Sequence, residues 1–135
     1  MRPFLDTNVL VYAALSDDPR RPAAEQLVAA GATISVQVLN EFVNVARGKL
    51  GWSWPDIETM LVLVRSQSRR VLELSVATHE AAIALARDHR LSFYDALIVA
   101  AAQEAGCDTL YTEDMQHGRK FGGLVIVNPF IEEDR

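Results

Sequence analysis

Five short segments rich in strand-forming residues alternate with helical segments, and this alternation is the feature that most constrains the fold. The five segments are residues 3–6, "ATIS", "RVLEL", "TLYT" and "LVIV". Alternation of strand and helix favours a parallel sheet with right-handed crossovers and helices on both faces. The sequence therefore predicts a three-layer α/β/α fold with a roughly five-stranded parallel sheet. Because 135 residues suit one hydrophobic core, we expect residues 1–135 to form a single domain.

The segments between the predicted strands carry helix start and stop signals. Helices are predicted over residues 8–15, 22–30 and 36–47, and glycines follow the last two. Side-chain hydroxyls are predicted to cap three more helices. These are Ser53 before "WPDIETMLVLV", Thr78 before "HEAAIALARDH" and Ser92 before "FYDALIVAAAQEA".

Charge and cysteine content limit the functional classes. The chain has 13 basic and 18 acidic residues and a formal charge of −5, so any nucleic-acid site must be a local one. Cys107 is the only cysteine, which excludes an internal disulfide and fits a reducing compartment. The longest apolar run, residues 96–102, is too short to span a bilayer. We therefore expect a cytoplasmic protein.

Four acidic residues occupy special places in the strand–helix pattern. Asp6 ends the first strand, and Asp114 follows "TLYT". Asp95 begins an apolar helix, and Glu41 lies in the helix after the second strand. In a parallel sheet, ligands bind beyond the carboxyl ends of the strands. We expect three of the acids at that edge, with Glu41 reaching it from the second turn of its helix.

Each acid also has a purely structural interpretation. Asp6 could cap the following helix, which is worth about 1 kcal/mol. Asp95 could return a hydrogen bond to the Ser92 amide in a capping box. Asp114 could begin a turn, and Glu41 could be a solvated flank. The four structural interpretations are less convincing together than singly, because independent helix caps and turns have no reason to converge on one edge of the sheet.

Convergence of carboxylates has a chemical consequence. Carboxylates a few ångströms apart repel one another unless a cation is present. An all-carboxylate site without thiolate or imidazole selects Mg²⁺ or Mn²⁺ over zinc. One or two such ions can activate water and hold a phosphodiester. The residues thus favour phosphodiester hydrolysis.

"FLDTNVLVYA", "VLNEFVNV", "LSFYDALIVAAAQEAGC" and "LYTEDMQHG" resemble, in this order, the acidic motifs of PIN-domain proteins. The resemblance is strongest to the VapC-type toxins of toxin–antitoxin pairs. It implies a Mg²⁺- or Mn²⁺-dependent endoribonuclease acting on RNA, which forms a homodimer and is inhibited by a small VapB-like antitoxin. Asp6, Glu41 and Asp95 match the three core acids as catalytic and metal-binding residues, and Asp114 matches the more variable fourth.

The same resemblance assigns supporting roles. Thr112 matches a hydroxyl residue that often precedes the fourth acid by two positions. Asn8 matches a position whose side chain commonly steadies the site through hydrogen bonds. Glu113 adjoins Asp114, and of the two we expect Asp114 to face the site.

Basic and aromatic residues near these motifs have two possible roles. Four could contact phosphates of a substrate or could be ordinary solvated surface. These four are Arg47, Lys49, Arg119 and Lys120. Trp52 and Trp54 could contact an antitoxin or a second subunit, or could pack over neighbouring helices.

Other chemistries fit the sequence less well. The stretch "HEAAI" lacks the second histidine of a zinc-protease helix, because position 83 is Ile83. Haloacid-dehalogenase-like phosphatases need an acid where Asn8 stands, and receiver-like domains need a lysine after the last strand. Two alternatives within the PIN resemblance stay open. One is an RNA-processing nuclease without an antitoxin, and the other is a non-catalytic scaffold that binds protein partners.

Overall fold

A six-stranded sheet forms the centre of the computed structural model, which describes residues 1–131. The strands are β1 (Pro3–Leu5), β2 (Thr33–Ser35), β3 (Arg70–Leu72), β4 (Thr109–Tyr111), β5 (Lys120–Phe121) and β6 (Leu124–Val127). Their order across the sheet is β3-β2-β1-β4-β6-β5. All neighbouring strands are parallel except β5 and β6, which are antiparallel.

Six helices connect the strands. They are α1 (Thr7–Ala14), α2 (Arg21–Ala29), α3 (Val36–Gly48), α4 (Trp54–Gln67), α5 (Val76–His89) and α6 (Phe93–Glu104). The most extensive helix packing joins α5 to α6 and α1 to α2. The predicted α/β/α class with a mostly parallel sheet is therefore confirmed.

All five predicted strands are present, and the sequence analysis missed one further strand. This strand, β5, has only two residues and forms a hairpin with β6 through Gly122 and Gly123. A two-residue strand is too short to show an alternating pattern. It is recognisable only from its pairing with β6 in the folded chain.

The central part of the sheet is buried on both faces, which explains why β1 and β6 are continuously apolar. Phe4 and Leu5 of the central strand β1 are almost fully buried, as are Ile34 and Leu110 on its two neighbours. Helix α6 is buried over the whole run from Ala96 to Ala102. A helix that is apolar all round is stable in water only inside a core.

One predicted helix cap is wrong. Helix α5 begins at Val76 with Ser75 as its cap, whose Oγ accepts a hydrogen bond from Thr78 N at 3.0 Å. Thr78 is fully buried inside the first turn, and its hydroxyl donates to Glu104 Oε2 at 2.9 Å. Both hydroxyl residues suit a cap locally. Ser75 takes this role because the Thr78 hydroxyl joins α5 to the end of α6. The predicted caps Ser53 and Ser92 are confirmed.

The order of the strands creates a switch point between β1 and β4. From β1 the chain passes to β2 and β3 on one side, whereas β4 and β6 lie on the other. Asp6 follows β1 and donates its backbone N–H to Tyr111 O at 3.0 Å, and Thr112 follows β4. Clefts at the carboxyl ends of strands beside such a switch point are the usual ligand sites of open α/β sheets.

Across residues 1–131, every helix falls short of the length and apolar character required to cross a membrane.

Replacing Arg90 with glycine is expected to stabilise the fold. Arg90 ends α5 in the left-handed conformation, with φ 56° and ψ 41°. Arg90→Gly should raise the free energy of unfolding by roughly 0.5 kcal/mol, because relief of left-handed strain exceeds the entropy that glycine adds to the unfolded chain. Urea unfolding measures the change.

Arg87→Gly is the matched control, because Arg87 is also exposed on α5 but lies within the helix. It should lower the free energy of unfolding by about 1 kcal/mol. Equal destabilisation by both substitutions would contradict the role assigned to the left-handed position.

Candidate active site

Asp6 lies at the end of β1 and caps α1. Its Oδ1 accepts from Thr7 N at 2.7 Å, and its Oδ2 accepts from the Thr112 hydroxyl at 2.8 Å. The side chain is buried, with 4% of the residue surface exposed. Burial raises the pKa of Asp6 to about 6, although the two hydrogen bonds favour the ionised form. Capping is therefore only part of what the position of Asp6 achieves, because the carboxylate also faces other acids.

Glu41 reaches the same region from the second turn of α3. Thr7 Oγ1 lies 3.4 Å from Glu41 Oε2 and donates a hydrogen bond to it. Partial burial and the charge of Asp6 raise the pKa of Glu41 to about 7. A nearby cation would therefore favour the ionised form of Glu41 at neutral pH.

Asp95 is the third residue of α6 and is half-buried. Its backbone N–H donates to Ser92 Oγ at 3.2 Å, as expected for a capped helix. Among the described residues, no hydrogen bond returns from the Ser92 amide to the Asp95 carboxylate, so the predicted capping box is half formed. Burial raises the pKa of Asp95, and the charge of Asp114 adds to this effect.

Thr112 and Asn8 connect the ends of the two central strands. The Thr112 hydroxyl, which is fully buried, donates to Asp6 and accepts from Asn8 Nδ2 and Asp114 N, both at 3.1 Å. Asn8 Nδ2 also donates to Asp114 Oδ2 at 3.0 Å. This network holds Asp114 beside Asp6 without using a charged group.

Glu113 and Asp114 point to different partners. Asp114 is bound by Asn8, and its charge acts on all three of the other acids. Glu113 accepts from the Tyr12 hydroxyl and lies 3.4 Å from Arg20 Nη1. The structure therefore places Asp114 among the carboxylates and Glu113 at their margin.

All four predicted acids line one cavity of about 350 Å³. Its lining also includes Asn8, Tyr12, Lys49 and Glu113. Within the described part of the chain, none of the four acids forms an ion pair with lysine, arginine or histidine. A group of carboxylates without neutralising partners has the donor chemistry of a Mg²⁺ or Mn²⁺ site.

The acids surround this cavity without forming a closed cage. Over residues 1–131, no group of three or more His, Cys, Asp or Glu side chains is tight enough to enclose a metal ion. Magnesium usually keeps several of its waters and binds directly to only one or two carboxylates. A hydrated ion therefore suits the cavity better than one bound entirely by protein oxygens.

Only one of the four predicted phosphate-binding residues lines the cavity, and this is Lys49. Arg47 donates to Trp52 O at 2.9 Å and stacks on Trp54, and Arg119 donates to His89 O at 2.7 Å. Lys120 is exposed on the edge strand β5. Closeness to an acidic motif along the chain did not bring these three residues to the carboxylates.

The two tryptophans have different environments. Trp52 packs edge-on against Phe42, with ring centroids 6.2 Å apart. Trp54 keeps 52% of its surface exposed. Packing therefore explains Trp52, whereas Trp54 remains available for a partner.

Two residues at the rim of the cavity were not predicted from the sequence. Tyr12 lines the cavity, and Arg20 contacts the lining residues Tyr12 and Glu113. Tyr12 lies one helical turn after Asn8 on α1, so helical spacing alone could have indicated it. Arg20 lies in the break between α1 and α2, where no periodic pattern exists. Its position depends on contacts with Asp18 and Tyr12 in the folded chain.

A second cavity, of about 400 Å³, lies between α1, α2 and α4 and is mainly apolar. The carboxylate in its lining, Glu25, is paired with Arg21 at 2.8 Å. This cavity lacks the converging acids needed for metal-assisted hydrolysis.

Comparison with known protein families identifies the family to which this chain belongs. The sequence profile of the PIN domain matches residues 4–120. The chain belongs to the PIN domain family. Comparison with curated protein sequences gives no significant match. Within the PIN domain, the match includes all four acids of the cavity, both supporting residues and the rim residues Tyr12 and Arg20.

Solved structures with a similar fold include a toxin and complexes of toxin with antitoxin. VapC20 of Mycobacterium tuberculosis, a toxin that cleaves the sarcin-ricin loop, is 21% identical with a TM-score of 0.67, over 80% of this chain and 86% of that chain. A toxin–antitoxin complex from Klebsiella pneumoniae gives 24% identity and a TM-score of 0.69, over 95% and 98%. DNA-bound VapBC of Salmonella typhimurium gives 21% and 0.63, over 93% and 96%. At these identities, the similarity establishes the fold.

Removing the Thr112 hydroxyl is expected to destabilise the protein. Thr112→Val leaves Asn8 Nδ2 and the Asp114 amide without their buried acceptor and leaves Asp6 Oδ2 without its donor. The free energy of unfolding in EDTA should fall by about 2 kcal/mol. Thr112→Ser keeps the hydroxyl and should lose no more than about 1 kcal/mol. Unchanged stability of the valine variant in urea unfolding would show that the network contributes nothing.

Proposed function

We propose that this PIN domain is a divalent-ion-dependent endoribonuclease. One observation carries the proposal: four carboxylates from four different parts of the chain line a single cavity and lack ion-pair partners among the described residues. Keeping several charges together without compensation is unfavourable for stability. A site that binds a cation explains why the fold brings them together.

The residues present fit Mg²⁺ or Mn²⁺. Asp6, Glu41 and Asp95 would hold an ion directly or through water, and Asp114 would complete the same shell or help to bind a second ion. When bound, such an ion would act as a Lewis acid on the phosphodiester and assist the deprotonation of water. The family resemblance implies products with a 5′-phosphate and a 3′-hydroxyl.

The neutral residues of the site would orient the carboxylates. Thr112 donates a hydrogen bond to Asp6, and Thr7 donates one to Glu41. A hydroxyl therefore fixes the orientation of one oxygen in each carboxylate. Asn8 plays the same part for Asp114. Lys49, across the cavity, would contact a substrate phosphate as a point charge. These residues position the reacting groups and do not exchange protons with the substrate.

We further propose that this nuclease is the toxin of a toxin–antitoxin pair. The similar solved structures include a VapC toxin and complexes of toxin with antitoxin. A VapB-like antitoxin and a second copy of the chain are the expected partners. The presence of all four acids opposes a role as a non-catalytic scaffold.

Removing the Asp95 carboxylate should abolish cleavage. Purified protein should cut RNA with Mg²⁺ or Mn²⁺ and stop when EDTA is added. Asp95→Asn should reduce the rate by at least about a hundredfold, because metal-assisted charge stabilisation contributes several kcal/mol. Gel analysis of a labelled oligoribonucleotide measures this rate.

Asp56→Asn is the matched control for Asp95→Asn. Asp56 has the same place in α4, where its N–H donates to Ser53 Oγ at 3.2 Å, but it lies outside the acidic cavity. It should cleave like the unmodified protein. If Asp95→Asn were equally active, the proposed nuclease site would be wrong.

Removing one charge from the cavity should stabilise the metal-free protein. Glu41→Gln keeps an acceptor for Thr7 and should raise the free energy of unfolding in EDTA by about 1 kcal/mol. It should also weaken stabilisation by Mn²⁺, which reaches about 2.7 kcal/mol for a full site at a hundred times Kd. Thermal unfolding with and without Mn²⁺ measures both effects.

Glu58→Gln is the control for the cavity charge, because Glu58 is an exposed helical acid on α4. It should leave both the metal-free stability and the Mn²⁺ response unchanged. An equal loss of the Mn²⁺ response in the two variants would place the ion elsewhere.

Expression of the chain in a bacterial host tests the toxin role separately. Growth arrest should depend on Asp95 and should be relieved by a small protein encoded beside this gene. Cleavage without arrest would leave the nuclease assignment and remove the toxin role.

A further inference from the structure

Arg20 is held rigidly at the rim of the acidic cavity. It precedes α2, and Asp18 binds its guanidinium at two points, Nε to Oδ1 at 2.9 Å and Nη2 to Oδ2 at 2.7 Å. The Arg20 backbone N–H also donates to Asp18 Oδ1 at 2.9 Å. An arginine fixed in this way has already lost most of its rotamer freedom, so binding a ligand costs little additional entropy.

The guanidinium lies flat on Tyr12. Its central carbon is 3.6 Å from the centroid of the Tyr12 ring, and Tyr12 lines the same cavity as the four acids. Phe130 supports the tyrosine ring edge-on at 5.2 Å, and the tyrosine hydroxyl donates to Glu113. The two planar groups therefore form a fixed stack beside the candidate active site.

Each of the three guanidinium nitrogens of Arg20 already contacts a carboxylate. Asp18 takes Nε and Nη2, and Nη1 lies 3.4 Å from Glu113 Oε2. The charges of Asp18, Arg20 and Glu113 sum to −1, which does not favour a phosphate. Yet 38% of the Arg20 side chain is exposed, although one face is covered by Tyr12. The surface that remains for a ligand is the outer flat face.

We propose that the Arg20–Tyr12 stack is a platform for one unpaired nucleobase of the RNA, next to the phosphodiester that is cleaved. This inference rests on the proposed nuclease function and adds how the substrate is held. Unstacked RNA bases bind to guanidinium planes and aromatic rings, and such stacking tolerates any base. It also suits a chain with a formal charge of −5, because stacking does not require a positive surface.

An abasic scan of the substrate tests the platform with the unmodified protein. An oligoribonucleotide with one cleavage site is prepared with a single abasic nucleotide at each successive position. At one position near the cleaved bond, loss of the base should raise KM by about tenfold or more while kcat changes little. If no position shows this effect, the platform is wrong.

Arg20→Lys then assigns the effect to the flat guanidinium. Lysine keeps the positive charge but has no planar face, so KM should rise by about tenfold on intact RNA. The variant should have no further effect on RNA that is abasic at the sensitive position. The fluorescence of a 2-aminopurine placed there should change on binding to the unmodified protein and not on binding to this variant. An equal KM increase on intact and abasic RNA would overturn the inference.

Arg21→Lys is the control, because it makes the same change one residue further along, where the side chain is paired with Glu25. It should leave KM unchanged, and equal KM increases in both variants would show that the effect is not specific to Arg20 and would overturn the platform. If the unmodified protein cleaves no RNA, the proposed function fails and the platform falls with it. If it cleaves RNA without any sensitive position, only the platform is wrong.

Discussion

The buried hydroxyl of Thr112 is the contact on which the rest of the site depends. It joins the ends of β1 and β4 by donating to Asp6 and accepting from Asn8 and from the Asp114 amide. The parallel pairing of Leu5 with Tyr111 sets the distance between the two strand ends. A shift of this register by one residue would turn Thr112 away from Asp6. The sheet therefore determines the geometry of the acidic cavity through one neutral side chain.

Around this contact, the fold brings several negatively charged carboxylates close together, which is unfavourable for the stability of the protein. Burial and mutual repulsion raise the pKa of Asp6, Glu41 and Asp95, and no arginine or lysine forms an ion pair with them in the described residues. Neutral donors, mainly hydroxyl and amide groups, hold the carboxylates in place. Positive partners would stabilise the protein further but would occupy the oxygens that the proposed metal ion would bind. Under that proposal, stability is limited here by the chemistry of the site.

Local patterns predicted most of the architecture, and their limits explain the errors. Strand and helix segments are visible because burial imposes a period on the sequence. Asp6, Asp95 and Asp114 are recognisable because each follows or begins such a segment, whereas Glu41 lies in the second turn of its helix. The cap of α5 was misassigned because Ser75 and Thr78 both fit locally, and a contact with Glu104 decided between them.

Contacts across the chain account for the remaining differences. Tyr12 and Arg20 were missed because their stack joins α1 to the segment that precedes α2. Three of the four predicted phosphate contacts, Arg47, Arg119 and Lys120, lie away from the cavity because nearness along the chain does not give nearness in the fold.

The edges of the sheet affect how the protein resists aggregation in the cell. The outer strands β3 and β5 have only three and two residues and begin with exposed Arg70 and Lys120. Short, charged edges offer few free backbone groups to another chain, which protects the protein from edge-to-edge aggregation.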